Sequence, residues 1–206
     1  MSGDGRYGRE RVSWRVNRES VLLLGASREL LLQIAHPAVG ADDAPYDDAE
    51  LRWLWATRLE TALLMYTRYV GPLKVADVEA YYLERRGFLL DCGVPEDTVP
   101  DSFAAFMQWY DATVEQVLEV TPDARALAAE LLRSSRRPLP LRPAYEALNL
   151  ATIGLLPPTL REAYGLPWSP QRERLLGAQT ALVRRLMPLL PSLLRELPTP
   201  RLSEAA

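Results

Sequence analysis

The chain has 206 residues, 48% of them hydrophobic, with 24 Lys+Arg against 27 Asp+Glu and a formal net charge of −3. That length supports one sizeable core or two small ones, and the mixed, slightly acidic charge argues against a nucleic-acid partner. One cysteine and one histidine exclude an intrachain disulfide and a zinc-type ligand set.

Almost every segment repeats its apolar residues with helical period and none alternates like a strand. This predicts an all-α, single-domain helical bundle of about seven or eight helices spanning 1–206, with 1–16 and 198–206 as flexible termini. The first helix is expected over Asn17–Ala35, with Asn17 as N-cap and Glu19 at the positive end of the helix dipole. Pro37 and Gly40 stop it. The second helix starts at Asp47 or Asp48 and runs to Val70, where Gly71-Pro72 breaks the chain. Leu51, Trp55, Leu59, Ala62, Tyr66 and Tyr69 recur at steps of three or four and would share its buried face. A third helix is expected over Ala76–Asp91, stopped by Gly93 and Pro95. A fourth opens at Asp101 or Ser102, and a fifth at Thr121-Pro122. Ser134–Pro143 reads as a basic, proline-bearing internal loop, and Tyr145–Leu155 as an apolar, central segment. Thr159–Tyr164 is a short helix, and Ser169-Pro170 opens a last long one that Pro188 and Pro191 interrupt.

The longest apolar run, Val21–Ala35, is broken by Arg28 and Glu29 and falls short of the roughly 18 residues of a membrane span. With no secretory pattern after Met1, the expectation is a soluble, cytoplasmic protein.

Polar residues among the leucines of the first helix are the candidates for chemistry. An unpaired buried polar group costs roughly 1–3 kcal/mol, so Arg18 and Glu19 are expected to be partly buried and paired. His36 is the only imidazole, and a lone histidine is by itself more often structural than a ligand. Haem is the cofactor a single imidazole can hold, in an aromatic pocket with a cation for the propionates. Trp53, Trp55, Tyr66, Tyr69, Arg18 and Arg58 lie near the first two helices, although aromatics at this spacing equally describe an ordinary core. No di-iron pattern, phosphate-binding glycine loop or nucleophile elbow is present, and a Cys92–His36 dyad has no local support.

Several stretches carry a family resemblance: Arg18 to Pro37, Asp48-Ala49-Glu50-Leu51-Arg52-Trp53-Leu54-Trp55-Ala56-Thr57, Glu60 to Leu73, and Leu155 to Trp168. Together they resemble the haem-dependent rubber oxygenases (latex-clearing proteins) and the ER-bound oxygenase of mycophenolic acid biosynthesis. The resemblance implies a haem b-dependent oxygenase that uses dioxygen on a hydrophobic, unsaturated small-molecule substrate. It makes Arg18, Glu19 and Gln33 candidate catalytic positions, His36 a candidate ligand of the haem iron, and Arg58 a candidate cofactor contact. Two departures stand beside it. The position at which haem-binding members usually carry the axial histidine holds Trp55, whose indole nitrogen has no free lone pair. The long segment that bacterial members place between the two motifs, with an Arg and a Thr four apart, is reduced to Val39–Asp47. These departures support a second reading, a non-catalytic or haem-free relative that binds an apolar ligand or a protein partner. A third reading lays the Leu-rich last helix on a membrane surface.

Overall fold

Four helices begin at the polar residue expected to start them. Asp47, Ser102, Thr121 and Ser169 each have extended backbone, and each side chain accepts from the main-chain N–H three residues on. The computed structural model describes residues 11–40, 46–133, 138–191 and 195–196. Among these the chain is helix and turn, without a strand beyond one isolated antiparallel bridge between Glu19 and Glu196; the fold is all-α. The α-helices are α1 (Val12–Asn17), α2 (Ala26–Gln33), α3 (Asp48–Tyr69), α4 (Val75–Asp91), α5 (Phe103–Gln116), α6 (Pro122–Leu131), α7 (Arg142–Gly154), α8 (Pro158–Ala163) and α9 (Pro170–Leu186). Short 3-10 turns cover Ser20–Gly25, Glu96–Thr98, Leu139–Leu141 and Met187–Leu189. No helix of the described residues is long and apolar enough to cross a membrane.

The second, third, fourth and fifth expected helices correspond to α3 to α6, and the short and last ones to α8 and α9. Gly93 follows α4 in the left-handed region at φ 95°, a conformation a side chain would strain. The expected connector 134–143 differs from its reading at its end, because α7 has already begun at Arg142; residues 134–137 lie outside the described set.

The first helix requires a larger correction. In place of one helix over 17–35 there are three pieces: α1, the 3-10 turn Ser20–Gly25, and α2. Asn17 closes α1 instead of capping a helix, and its Oδ1 accepts from the Tyr81 hydroxyl at 3.0 Å. Glu19 is extended (φ −73°, ψ 122°) and forms an isolated antiparallel bridge with Glu196, while its N–H donates to the Val16 carbonyl and its own carbonyl accepts from the Leu22 N–H. The stretch expected to be loose up to residue 16 is helical from Val12. The Glu84 carboxylate on α4 accepts from the N–H groups of Val12 and Ser13, and Val16 is fully buried. The expected tail 198–206 lies outside the described residues.

Helix α3, about 33 Å long at 1.5 Å per residue, is the axis of the core. Of its expected face, Trp55, Leu59, Ala62, Tyr66 and Tyr69 are buried and Leu51 is half-buried. Trp53, Ala56, Leu63 and Met65 are buried as well, so α3 is covered on nearly every side. Rings from α3, α4 and α5 fill one flank. Trp55 meets Tyr82 at 5.9 Å and Phe106 at 5.5 Å edge-on, and Trp53 stacks on Tyr110 at 5.4 Å. On another flank Val21, Leu22, Leu31 and Leu32 are buried, as the sequence requires of the 21–35 stretch.

Candidate functional site

Residues 19–40 lie antiparallel to α3, so partners on α3 fall in number as this stretch rises. Glu19 shares a cavity with Val70, and Gly25 lies against Thr61 and Met65. Arg28 bonds to Glu60 and Thr61, and Gln33 donates to Thr57. His36 stacks on Trp53, and the Gly40 N–H donates to Glu50. Trp53 and Val70 are separated by an axial rise of about 26 Å. The polar residues that sit close in sequence are therefore drawn out along the helix, with Arg18 and Glu19 near one end and His36 near the other.

At the Val70 end, Glu19 is 4% exposed. Its carboxylate lies 3.8 Å from the Nε atoms of both Arg18 and Arg195, and Arg18 also faces Glu196 at 3.5 Å. These distances exceed a hydrogen bond, and Glu19 Oε2, Arg18 Nε and Arg195 Nε are all buried without a hydrogen-bond partner. Burial raises the Glu19 pKa above its ordinary value and the Glu196 carboxylate adds to this; Arg195 and Arg18 oppose the shift. The Arg18 guanidinium also covers the Trp14 ring at 4.6 Å. Beside Glu19 is a cavity of about 190 Å³ bounded by Val70, Arg184, Met187, Pro188 and Arg195.

At the middle of α3 lies a buried ion pair that the sequence reading did not single out. Arg28 is 3% exposed. Its Nη1 donates to Glu60 Oε2 and to Thr61 Oγ1, both at 2.6 Å, its Nη2 to Glu60 Oε1 at 3.1 Å, and its Nε to the Leu155 carbonyl at 2.7 Å. The Tyr110 hydroxyl donates to Glu60 Oε2 at 3.4 Å, and burial pushes its phenol well above the usual range. Burial opposes the charge on Arg28, but Glu60 and Tyr110 more than offset it and raise the guanidinium further. All three guanidinium nitrogens of Arg28 are thus bonded within the fold, which makes this a structural lock joining α2, α3, α5 and the end of α7.

At the other end, Gln33 Nε2 donates to Thr57 Oγ1 at 3.2 Å and to Glu29 Oε1 at 3.4 Å. Arg58 Nη1 reaches the other oxygen of Glu29 at 3.1 Å. Glu29 thus joins Gln33 to Arg58. His36 stacks on Trp53 with ring centres 5.2 Å apart, and its Nδ1 accepts from the Ala38 N–H at 3.2 Å. Burial, helped by the Arg52 charge, lowers its pKa. Trp55 is 7% exposed and its Nε1 donates to the Arg85 carbonyl at 2.9 Å. Cys92 is free and exposed at the end of α4. Among the described residues no group of three or more His, Cys, Asp and Glu could hold a metal ion.

A family model described as "ER-bound oxygenase mpaB/B'/Rubber oxygenase, catalytic domain" matches residues 42–190, well over half of the chain. The matched span contains Trp55, Arg58 and Glu60 but begins after Arg18, Glu19, Gln33 and His36. Neither a curated protein nor a solved structure matches the chain.

Proposed function

The chain belongs to the ER-bound oxygenase mpaB/B' and rubber oxygenase catalytic-domain family, and we propose that it serves within that family as a haem-free domain that binds a small, partly apolar ligand. Membership concerns the scaffold and the oxygenase type of the family; the cofactor has to be argued from the donors present. Those donors do not fit haem. The position of the usual axial histidine is Trp55, whose ring nitrogen carries no free lone pair and whose N–H is already committed to Arg85.

His36 does not replace it. An imidazole that ligates iron through Nε2 carries a proton on Nδ1 and donates it to an acceptor. Here Nδ1 faces the N–H of Ala38, a donor, so the proton belongs on Nε2 and the ring closes the turn after α2. The observation that carries the proposal is Trp55, buried among Tyr82 and Phe106 where an iron ligand would stand. The ligand's place in this reading is the cavity beside Glu19, which combines apolar walls with unsatisfied polar atoms.

The other reading is a haem b-dependent oxygenase that uses dioxygen on a hydrophobic, unsaturated substrate. Family membership favours it, and it requires His36, or one of the buried tyrosines, on the iron. The ultraviolet-visible spectrum of protein purified from haem-supplied cells separates the two. No Soret band is expected. A stoichiometric band, whether or not it survives His36→Ala, would overturn the haem-free reading.

A further inference from the structure

The cavity beside Glu19 presents a specific pattern of hydrogen-bonding groups. Glu19 Oε2 is an acceptor that lines it, buried and without a hydrogen-bond partner. Two guanidinium groups also line it, Arg184 from α9 and Arg195, whose Nε stands 3.8 Å from Glu19 Oε2 and has no hydrogen-bond partner. Val70, Met187 and Pro188 supply the apolar remainder. Arg18 and Arg195 pair with Glu19 and Glu196 and balance them, so Arg184, which lines the cavity outside these pairs, leaves one positive charge in excess there. A ligand that satisfies all of this has one negative charge, one hydroxyl donor close to it, and a short hydrocarbon body.

We propose that this cavity binds a small 2-hydroxycarboxylate, with its carboxylate on Arg184 and Arg195, its hydroxyl donating to Glu19 Oε2, and its alkyl chain against Val70, Met187 and Pro188. The size agrees. A cavity of about 150 Å³ accepts a benzene-sized body, so about 190 Å³ suits a chain of roughly six carbons with its polar head. A simple amine would pair with Glu19 but meet the excess arginine charge. An inorganic anion would answer the arginines but leave the hydrocarbon wall unfilled. This inference rests on the ligand-binding reading above and is tested apart from it, because haem occupancy is read by absorbance and ligand binding by heat.

The experiment is isothermal titration calorimetry on the full chain with 2-hydroxyisocaproate, isocaproate and 2-hydroxyisocaproamide. Saturable binding of 2-hydroxyisocaproate is expected. Isocaproate, which lacks the hydroxyl, is expected to bind about tenfold more weakly, the worth of one hydrogen bond. The uncharged amide is expected to bind more weakly again. Arg184 is exposed on α9, so Arg184→Ala keeps the fold and should lose at least about tenfold for both acids. Glu19→Gln should bring the two acids to within a factor of about two of each other, because it removes the charged acceptor. Arg172→Ala, also on α9 but outside the cavity, should change nothing. Absence of saturable heat with normally folded protein would overturn the proposal. So would equal affinity for the hydroxylated and plain acids, or an Arg184→Ala variant that binds as wild type.

Discussion

Removing Glu60 tests whether the Arg28 ion pair is the structural lock its geometry describes. Glu60→Ala leaves the Arg28 guanidinium 3% exposed with only the Thr61 hydroxyl and the Leu155 carbonyl as partners, and takes the acceptor from Tyr110. Breaking a buried pair from one side costs about 3–5 kcal/mol, much of it the stranded charge. At this chain length each kcal/mol moves the melting temperature by roughly 2–4 °C, so a fall of roughly 6–20 °C follows. Urea unfolding followed by circular dichroism measures the free energy, and an unchanged slope with denaturant shows that compactness is preserved. Replacing both partners by Arg28→Met and Glu60→Leu removes the charges together, and it should recover most of the stability lost in the single variant. A single variant that loses less than about 1 kcal/mol would refute the lock. A double variant no better than the single one would refute the account of where the cost comes from.

Other outcomes follow from individual contacts. A Cβ on Gly25 would stand 2.5 Å from Thr61 Cγ2 and 2.9 Å from Met65 Cγ, so Gly25→Ala should cost about 1–3 kcal/mol by thermal unfolding. Adding Thr61→Ser removes that methyl while keeping the hydroxyl that Arg28 needs, and should restore part of the loss. Trp55→His should cost about 3 kcal/mol or more through lost ring packing, with no haem gained in the absorbance spectrum. Burial and Arg52 lower the pKa of His36, so the fold favours the neutral ring. Its stabilisation is complete above 6.5 and lost as pH falls below that value, and His36→Gln should flatten this part of a stability–pH profile. Glu19 has the opposite sign. Its raised pKa favours the protonated acid, so wild type should lose stability relative to Glu19→Gln as pH rises above 4.5.

Local chemistry made much of the fold legible. Asp47, Ser102, Thr121 and Ser169 announce helix starts through their own side chains, and Gly93 announces a stop through its backbone freedom, all within a turn of sequence. The break between α1 and α2 was not legible, because it coincides with an antiparallel bridge between Glu19 and a residue far along the chain. Of the candidate site, Arg18 and Glu19 proved to be paired, with Glu19 deeply buried. Their separation from His36 depends on the antiparallel lie along α3, which no local pattern encodes. Arg28 left a readable trace: it falls on the same helix side as Leu24 and Leu31, where a charge demands a partner. The sequence reading used it only as an interruption of an apolar run. Finding Glu60 as that partner needed the register of two segments, not the composition of either.

The bridge between Glu19 and Glu196 joins positions 177 apart in the chain. Closing a loop of that size costs roughly 4–5 kcal/mol of chain entropy, which the contact itself recovers only in part. During folding such a pairing belongs at the end, after α3 has gathered its neighbours, and during native fluctuations it belongs among the first contacts to open. The residues beside Glu19 thus occupy the seam where the molecule closes on itself. A fusion attached after Glu196 would pull on that seam, whereas one attached ahead of Val12 would leave it slack.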